Sequence, residues 1–375
     1  TITKGRICPA APPLPTPARL PFQPSVGSHT SMRMLLPSSG LQVTQTLICS
    51  GAGPIGSPGK EAGAPASTNW TSVTIPSSVT SIGQYAFEDC TGLTSIRMPS
   101  VINSISQTAF IGCSNVKSYN TYDGNYFYAD GVLYSKSFDK LVAHPQAVTG
   151  EFTVSDSTKT INSYAFHGCA LSSVTISDKV ETIQEYAFAN CSQLESVKLS
   201  AKLTSIASNT FRNCTSLQAI TLPENISSIG SYAFYGCSGL TSVTLPDNIV
   251  SVGAYAFSGC KGIKSLSIPK DASTIGQAAF ENCDGLEEIY IYGRNTKIYD
   301  TASAIPSAAV IYGYADSQAE KYALKYNRTF VELTCSHEFG GWSADIDSKG
   351  RANTYENSFK WLIDSGIGTA SYNVN

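Results

Sequence analysis

Apolar and polar residues alternate in short stretches that return along the chain about every 23 residues. In the copy at residues 240–260, Val243 and Leu245 are apolar while Ser242 and Thr244 are polar, which predicts a strand with one buried face. In the first copy, Pro76 ends the strand because proline has no N–H for a sheet ladder. The pattern therefore predicts one short parallel strand in each repeat.

The second half of each repeat carries a phenylalanine that is followed three residues later by a cysteine. An Ile or Val lies five residues before each phenylalanine. The pairs are Phe87/Cys90, Phe110/Cys113, Phe166/Cys169, Phe188/Cys191, Phe211/Cys214, Phe234/Cys237, Phe257/Cys260 and Phe280/Cys283. A fixed period in this range is typical of a leucine-rich solenoid. We therefore predict a β-rich solenoid of 23-residue coils with a buried phenylalanine spine and a ladder of buried thiols.

The period fails once, between Phe110 and Phe166, which lie 56 residues apart. The extra length predicts one irregular coil, and Asp130-Gly131 between aromatic runs predicts a β-hairpin inside it. Four aromatic residues flank this turn, and we expect them to form an exposed surface that contacts a partner. They are Tyr126, Phe127, Tyr128 and Tyr134.

The two ends of the chain differ from the repeats. Residues 1–66 are rich in Pro, Gly and Ala, which predicts a disordered segment, and a signal peptide is not visible in this sequence. Residues 316–327 predict a short helix with a capping box at Ser317 and Glu320. This helix would cap a solenoid that spans residues 67–333. Residues 334–375 are then a linker followed by a partial module.

Composition narrows the possible functions. Hydrophobic residues make up 42% of the chain, enough for a core, whereas charged residues make up only 14% and the net charge is −3. A nucleic-acid partner is therefore not expected, and no apolar run is long enough to predict a membrane span. The cysteines show no zinc-type spacing, so no metal and no cofactor is predicted. Cys8, Cys49 and Cys335 lie outside the ladder and suggest no pairing.

Catalytic patterns are not recognisable either. The four histidines, His29, His144, His167 and His337, are scattered without a nucleophile motif. The many glycines are expected at repeat turns, where a positive φ would explain them. We therefore predict a protein that is not an enzyme.

Two surface columns are candidates for binding. One is formed by the outward positions of successive strands, where Thr175, Lys198, Thr221 and Thr244 are the candidate binding residues. The alternative is that hydroxyl side chains simply suit an exposed pleat. The other column lies two residues before the phenylalanines and includes Tyr164, Tyr186, Tyr232 and Tyr255. Tyrosine is common in recognition surfaces, although each ring could equally pack over the adjacent turn.

The pattern Leu-x-x-Val-x-Leu-Pro, followed by Ile-Gly-x-x-Ala-Phe-x-x-Cys, resembles the BspA-type leucine-rich repeat. The resemblance covers residues 70–333 and includes the Asp130–Leu133 insertion and the Tyr312–Glu320 segment. It implies an extracellular or cell-surface protein that binds a host or cell-surface protein or glycan in adhesion. The alternative function is a binding or spacer region of a longer cell-wall-associated enzyme.

The C-terminal segment resembles a second family. Asp345-Ile346, Tyr355, 359–362 and Gly366-Ile367 are similar to the opening half of an S-layer-homology module, which implies a cell-wall polymer as partner. A rival interpretation places Asp345, Asp347, Gly350 and Glu356 in a calcium loop. Lys349 then occupies a position that needs an oxygen ligand, so no metal is predicted here.

Overall fold

The repeats stack into a parallel β-solenoid, as the sequence predicts, and the solenoid has about 11 turns. The computed structural model describes residues 46–48, 71–121 and 125–333. Most of residues 1–66 and all of residues 334–375 lie outside the described part, including the S-layer-like and calcium-loop motifs. A strand at Thr46–Ile48 lies within the segment expected to be disordered and pairs in parallel with the first repeat strand.

Each coil begins with a longer strand whose apolar residues point inward. Branched residues such as Val73 and Ile96 suit this half-buried position, and burial alternates residue by residue along most of these strands. These long strands are β1 (Thr46–Ile48), β2 (Ser72–Thr74), β4 (Ser95–Met98), β6 (Ser118–Thr121), β10 (Gly150–Thr153), β12 (Leu171–Thr175), β14 (Ser196–Lys198), β16 (Ala219–Thr221), β18 (Ser242–Thr244), β20 (Ser265–Ile268), β22 (Glu288–Ile291), β24 (Val310–Gly313) and β25 (Phe330–Glu332).

A second, shorter strand crosses the far side of most coils. It is two residues long, and its Ile or Val faces the core. These short strands are β3 (Ser81–Ile82), β5 (Ser104–Ile105), β11 (Thr160–Ile161), β13 (Thr182–Ile183), β15 (Ser205–Ile206), β17 (Ser228–Ile229), β19 (Ser251–Val252), β21 (Thr274–Ile275) and β23 (Lys297–Ile298). The two kinds of strand leave a narrow interior between them.

The irregular coil contains the predicted hairpin. Strands β7 (Tyr126–Ala129) and β8 (Val132–Ser135) are antiparallel, and β9 (Lys140–Ala143) returns the chain to the parallel ladder beside β11. Asp130 and Gly131 both have positive φ, which is the geometry of a type I′ turn. The hairpin prediction is confirmed.

The long-strand ladders are β1-β2-β4-β6, β10-β12-β14-β16-β18 and β20-β22-β24-β25. Among the described strands no ladder joins β6 to β10 or β18 to β20, and the first of these breaks lies at the irregular coil. The buried apolar residues correspondingly form two clusters, one from Val73 to Ala143 and one from Val132 to Ala323.

Helix α1 (Gln318–Lys325) closes the C-terminal end of the core. The Ser317 hydroxyl accepts the Glu320 N–H at 3.2 Å, which forms the predicted N-cap. The Glu320 carboxylate accepts the N–H of Asp316 at 2.7 Å, one residue before the position that a capping box uses. Ala319, Tyr322 and Ala323 are buried against the last coils. Within the described ranges no helix is long and apolar enough to cross a membrane.

Candidate functional site

The interior of every regular coil is organised by its phenylalanine ring. The rings stack nearly parallel across neighbouring coils, with centroids 5.3 Å apart for Phe188 and Phe211 and 5.1 Å apart for Phe234 and Phe257. Phe87 and Phe280 continue the stacks at either end, and all these rings are fully buried. The spine supports the surface and is itself out of reach of a partner.

The ladder cysteines are buried reduced thiols. Six of them lie 2.8–3.1 Å from the carbonyl oxygen of the phenylalanine one coil earlier and donate a hydrogen bond to it. Those six are Cys113, Cys191, Cys214, Cys237, Cys260 and Cys283, and Cys90 is buried in the same column. Burial raises the pKa of Cys237 and Cys283 to about 12, so these thiols are unreactive at neutral pH.

The tyrosine column lies on the turn between each short strand and its phenylalanine. Tyr164 stacks on Tyr186, and Tyr232 stacks on Tyr255, in both cases with centroids 4.9 Å apart. All four residues have positive φ, an uncommon conformation for bulky side chains. The stacks account for these partly buried rings, as the packing interpretation expects. Asn209 occupies the position between the two stacks and also has positive φ.

The glycines of these turns have a different role from the one expected. Gly230, Gly253 and Gly276 do not have positive φ, so the expectation of left-handed backbone is wrong for them. A Cβ at Gly253 would lie 2.6 Å from the backbone of Gly230 and Ser231. Glycine is required here because one turn lies directly on the next.

The outward column of the long strands presents the predicted binding residues in register. Thr175 lies opposite Lys198, and Thr221 lies opposite Thr244. Lys198, Thr221 and Thr244 are exposed, whereas Thr175 is partly buried. The structure therefore places all four in one line across β12, β14, β16 and β18.

The same line continues into an aromatic cluster that the sequence analysis missed. Ser267 lies opposite Tyr290, which lies opposite Tyr312. The two rings stack with centroids 4.4 Å apart, and both hydroxyls donate to the Glu288 carboxylate, at 3.0 and 3.2 Å. The hydrogen bond to Glu288 raises the pKa of Tyr290. The pKa of Tyr312 is raised first by desolvation and then by its hydrogen bond to the same carboxylate. Tyrosine in place of Ser or Thr at these outward strand positions could have indicated the cluster from the sequence. It lies, however, where the sequence no longer follows the 23-residue repeat closely.

The hairpin residues divide between core and surface. Tyr128 is 48% exposed, whereas Tyr134 is only 4% exposed and belongs to the core cluster. The expectation that Tyr134 adds to an exposed surface is therefore wrong. Tyr126 is partly buried, and its hydroxyl accepts the Ile105 N–H at 3.1 Å. The side chain of Phe127 lies outside what the structure describes.

The irregular coil rebuilds the interior with different residues. His144 takes the spine position, stacks on Phe166 with centroids 5.1 Å apart, and donates its backbone N–H to Ala165 as the spine phenylalanines do in their coils. Gln146 replaces the thiol, since its side-chain amide donates to the Phe110 carbonyl at 3.0 Å. The hairpin therefore interrupts the repeat in the sequence, but His144 and Gln146 still fill the interior of this coil.

A small gap lies where the irregular coil is shorter than the regular coils. His144 lies three positions after Leu141, whereas Phe166 lies five positions after Ile161, so the turn is two residues shorter and has no equivalent of the tyrosine column. The gap is lined by polar and aromatic residues that include Gln107, Tyr119 and Tyr164, and it encloses about 10 Å³. That is room for about one water molecule, far less than a small-molecule site needs.

Comparison with known proteins identifies the repeat. The family model described as the BspA type leucine rich repeat region, with six copies, matches residues 64–149, 143–238 and 204–304. These matches span well over half of the chain. The chain belongs to the BspA-type leucine-rich repeat family. Among curated proteins no match is found.

Solved structures of leucine-rich repeat proteins resemble this BspA-type chain. A leucine rich cell surface protein from Faecalibacterium prausnitzii A2-165 is 28% identical with a TM-score of 0.48, and the match covers 63% of this chain and 55% of that one. A leucine-rich repeat protein from Bacteroides ovatus ATCC 8483 is 26% identical with a TM-score of 0.47, over 71% and 61%. The pneumococcal vaccine antigen PcpA is 20% identical with a TM-score of 0.48, over 71% and 68%. The chain thus spans little more than half the length of the first of these proteins.

The described coils of this BspA-type chain offer little that is typical of a catalytic or metal site. Leucine-rich repeat solenoids of this family are typically non-catalytic. Within residues 71–121 and 125–333 no group of three or more His, Cys, Asp or Glu side chains is placed to hold a metal ion. Burial lowers the pKa of His144 to about 4, and burial also lowers the pKa of His167. Both rings are therefore neutral at physiological pH.

Proposed function

We propose that the protein is a non-catalytic, cell-surface or secreted binding scaffold that presents the outward column of its long strands to a host or cell-surface protein or glycan. Membership of the BspA-type family supports a binding role and an extracellular location. The observation that carries the proposal is the line of exposed side chains at Lys198, Thr221 and Thr244, held in register by parallel strands.

The geometry supports binding because the column is rigid and repeated. Neighbouring strands of a parallel ladder lie about 4.8 Å apart, so the hydroxyls recur at a fixed spacing along the solenoid. Hydroxyl groups both donate and accept hydrogen bonds. An extended ligand can therefore meet several of them at once, and their small side chains lose little conformational entropy on binding.

The test uses three substitutions in the column. A variant with Thr175→Glu, Lys198→Glu and Thr221→Glu is compared with wild type for binding to a panel of immobilised matrix proteins and glycans. The matched control carries Thr182→Glu, Ser205→Glu and Thr274→Glu, at exposed positions of the short strands. We expect the first variant to lose binding and the control to keep it. Unchanged binding of every partner by the first variant would rule out the column.

The hairpin is a second surface for a partner. Tyr128 is exposed at its tip region, and β7 lies at the end of its ladder, where it interrupts the regular repeat. Tyr128→Ala leaves the core residues Tyr134 and Leu133 in place. If this substitution, rather than the column variant, abolishes binding, the partner site is the hairpin.

The alternative role is a binding or spacer region of a longer cell-wall-associated enzyme, and residues 334–375 would then attach to a cell-wall polymer. The full open reading frame on both sides of this chain decides between the two roles. A hydrolase domain encoded in the same frame supports the alternative, whereas further wall-binding modules alone support adhesion.

A further inference from the structure

The aromatic cluster at the C-terminal end of the outward column is held in one arrangement. Tyr290 and Tyr312 stack at 4.4 Å with an angle of 13° between the ring planes. Glu288 receives one hydroxyl on each carboxylate oxygen, and hydrogen bonds to a charged group are the stronger kind. The two rings are therefore fixed before any ligand arrives, which lowers the entropic cost of binding.

One face of this stack is open. Tyr312 covers one side of the Tyr290 ring, and Tyr292 lies next to it along the chain, with ring centroids 6.3 Å apart. The residue opposite Tyr290 on the side away from Tyr312 is Ser267, whose side chain is too short to cover the ring. Ser265 is also exposed on the same strand. Strand β18, with Thr244, lies beside β20 with Cα atoms within 8 Å. The short side chains thus leave a slot that has the Tyr290 ring as one wall and Thr244 as the other.

The slot is almost uncharged. Its outward residues on β18 and β20 are Ser242, Thr244, Ser265 and Ser267, and the only charged outward side chain on β22 is Glu288. The nearby Lys264 is paired with Glu287 at 2.9 Å. A carboxylate without an unpaired cation beside it disfavours an anionic ligand and accepts hydrogen bonds from hydroxyl groups.

We propose that this slot binds one neutral sugar unit of a glycan. The polarised C–H bonds of a sugar face suit the negative face of an aromatic ring, and the hydroxyl groups at the sugar's edge meet Ser265, Ser267 and Glu288. The rest of the glycan follows the outward column towards Thr244 and Thr221. This inference rests on the proposed binding function and names the ligand class for the C-terminal part of the column.

The experiment measures binding of neutral gluco-, galacto- and manno-oligosaccharides by titration calorimetry with the whole chain. We expect at least one of them to bind wild type, and Tyr290→Ala to weaken that binding by about tenfold or more because the stacking face is lost. Ser267→Lys should weaken it similarly by covering the ring, and Lys198 shows that an outward strand position accepts lysine.

Two matched controls keep the same changes away from the slot. Tyr299→Ala removes a 49% exposed tyrosine outside the strand ladder, and Thr74→Lys adds a lysine at an outward position of β2. Both should bind like wild type. Circular dichroism measures whether each variant is folded. If Tyr290→Ala destabilises the C-terminal coils, Ser267→Lys still tests the slot.

The proposal is overturned if no neutral oligosaccharide binds, if Tyr290→Ala and Ser267→Lys bind them as wild type does, or if only anionic oligosaccharides bind. A protein partner that is lost with Tyr290→Ala, in the absence of any sugar binding, would also overturn it. Loss of partner binding by the Thr175, Lys198 and Thr221 variant with an inactive slot would leave the proposed function standing. If that variant is also unaffected, the proposed function fails as well.

Discussion

Phe234 shows how a single residue supports its coil. Its ring lies between Phe211 and Phe257, with centroids 5.4 and 5.1 Å away. Its backbone N–H donates to Ala256 at 2.7 Å, and its carbonyl accepts the Cys260 thiol at 3.1 Å. The ring therefore packs in both directions along the solenoid while the backbone joins neighbouring coils.

We expect Phe234→Ala to lower the free energy of unfolding by about 3–5 kcal/mol, because the substitution leaves a cavity between two rings. Denaturant titration followed by circular dichroism measures the change. Tyr235→Ala, at the adjacent partly exposed position, is the control and should cost much less. Equal stability of Phe234→Ala and wild type would contradict the role of the spine.

His144 makes stability depend on pH. Burial lowers its pKa from 6.5 to about 4, and its ring faces Phe152, Phe166, the Pro145 carbonyl and the Cys169 thiol. The unfolded chain therefore binds a proton that the folded chain does not bind between pH 6.5 and 4. The contribution of His144 to the free energy of unfolding is fully present above pH 6.5. It is lost as the pH decreases through this window, which lowers the free energy of unfolding by up to about 3 kcal/mol.

His144→Phe should remove this part of the pH dependence, since the ring is kept and the titrating group is lost. Denaturation midpoints at pH 7.5 and 5 provide the comparison. We expect the gap between the two midpoints to narrow in the variant, with a remainder from His167, whose pKa is also lowered. An unchanged gap would show that His144 is not the group responsible.

At the scale of the element, the coil is set by close contact between turns. Gly230, Gly253 and Gly276 lie in successive turns, and each would place a Cβ 2.5–2.6 Å from the backbone of the coil before it. Ala207 occupies the equivalent position one coil before Gly230. These three glycines therefore lie where one turn contacts the backbone of the next directly.

Gly253→Ala should destabilise the protein by about 1–3 kcal/mol, because a backbone contact at 2.6 Å has to open. Thermal unfolding measures the loss. Ala207→Gly is the reciprocal control, and we expect it to change stability by less than about 1 kcal/mol through chain entropy alone. A neutral Gly253→Ala would mean that the turns can separate without cost.

At the scale of the whole molecule, the irregular coil divides the stack. Phe110 packs on Tyr119 with centroids 5.0 Å apart, whereas Phe166 packs on His144. The regular stack of phenylalanine rings is therefore interrupted at the irregular coil. The long-strand ladder also ends at β6 and starts again at β10. Since stability in a solenoid is a sum over neighbouring coils, the smaller N-terminal cluster should be the less stable one.

Hydrogen exchange tests this division. Amides in β2, β4 and β6 should exchange faster than those in β14, β16 and β18, because fewer coils protect them from local opening. Mass spectrometry of peptic fragments gives the rates, with the central coils as internal reference. Uniform protection across both groups would indicate one cooperative unit.

The repeat could be predicted from the sequence because each coil buries the same side chains at the same spacing. Phe, Cys, Ile and the alternating strand residues recur every 23 positions, and only stacked coils bury them all. The hairpin at Asp130-Gly131 and the cap at Ser317 were predicted because their signals lie within a few neighbouring residues. These features depend on local chemistry and period, which a sequence displays directly.

Other features depended on which coil lies against which. His144 and Gln146 replace a spine ring and a thiol from positions outside the repeat pattern, and Tyr134 is buried by residues from later coils. Tyr290 gains its role only beside Tyr312 and Glu288, of which Tyr312 lies a full coil away. The sequence by itself determined the coil, whereas the tertiary structure decided which side chains meet between coils, because packing joins residues that the period does not relate.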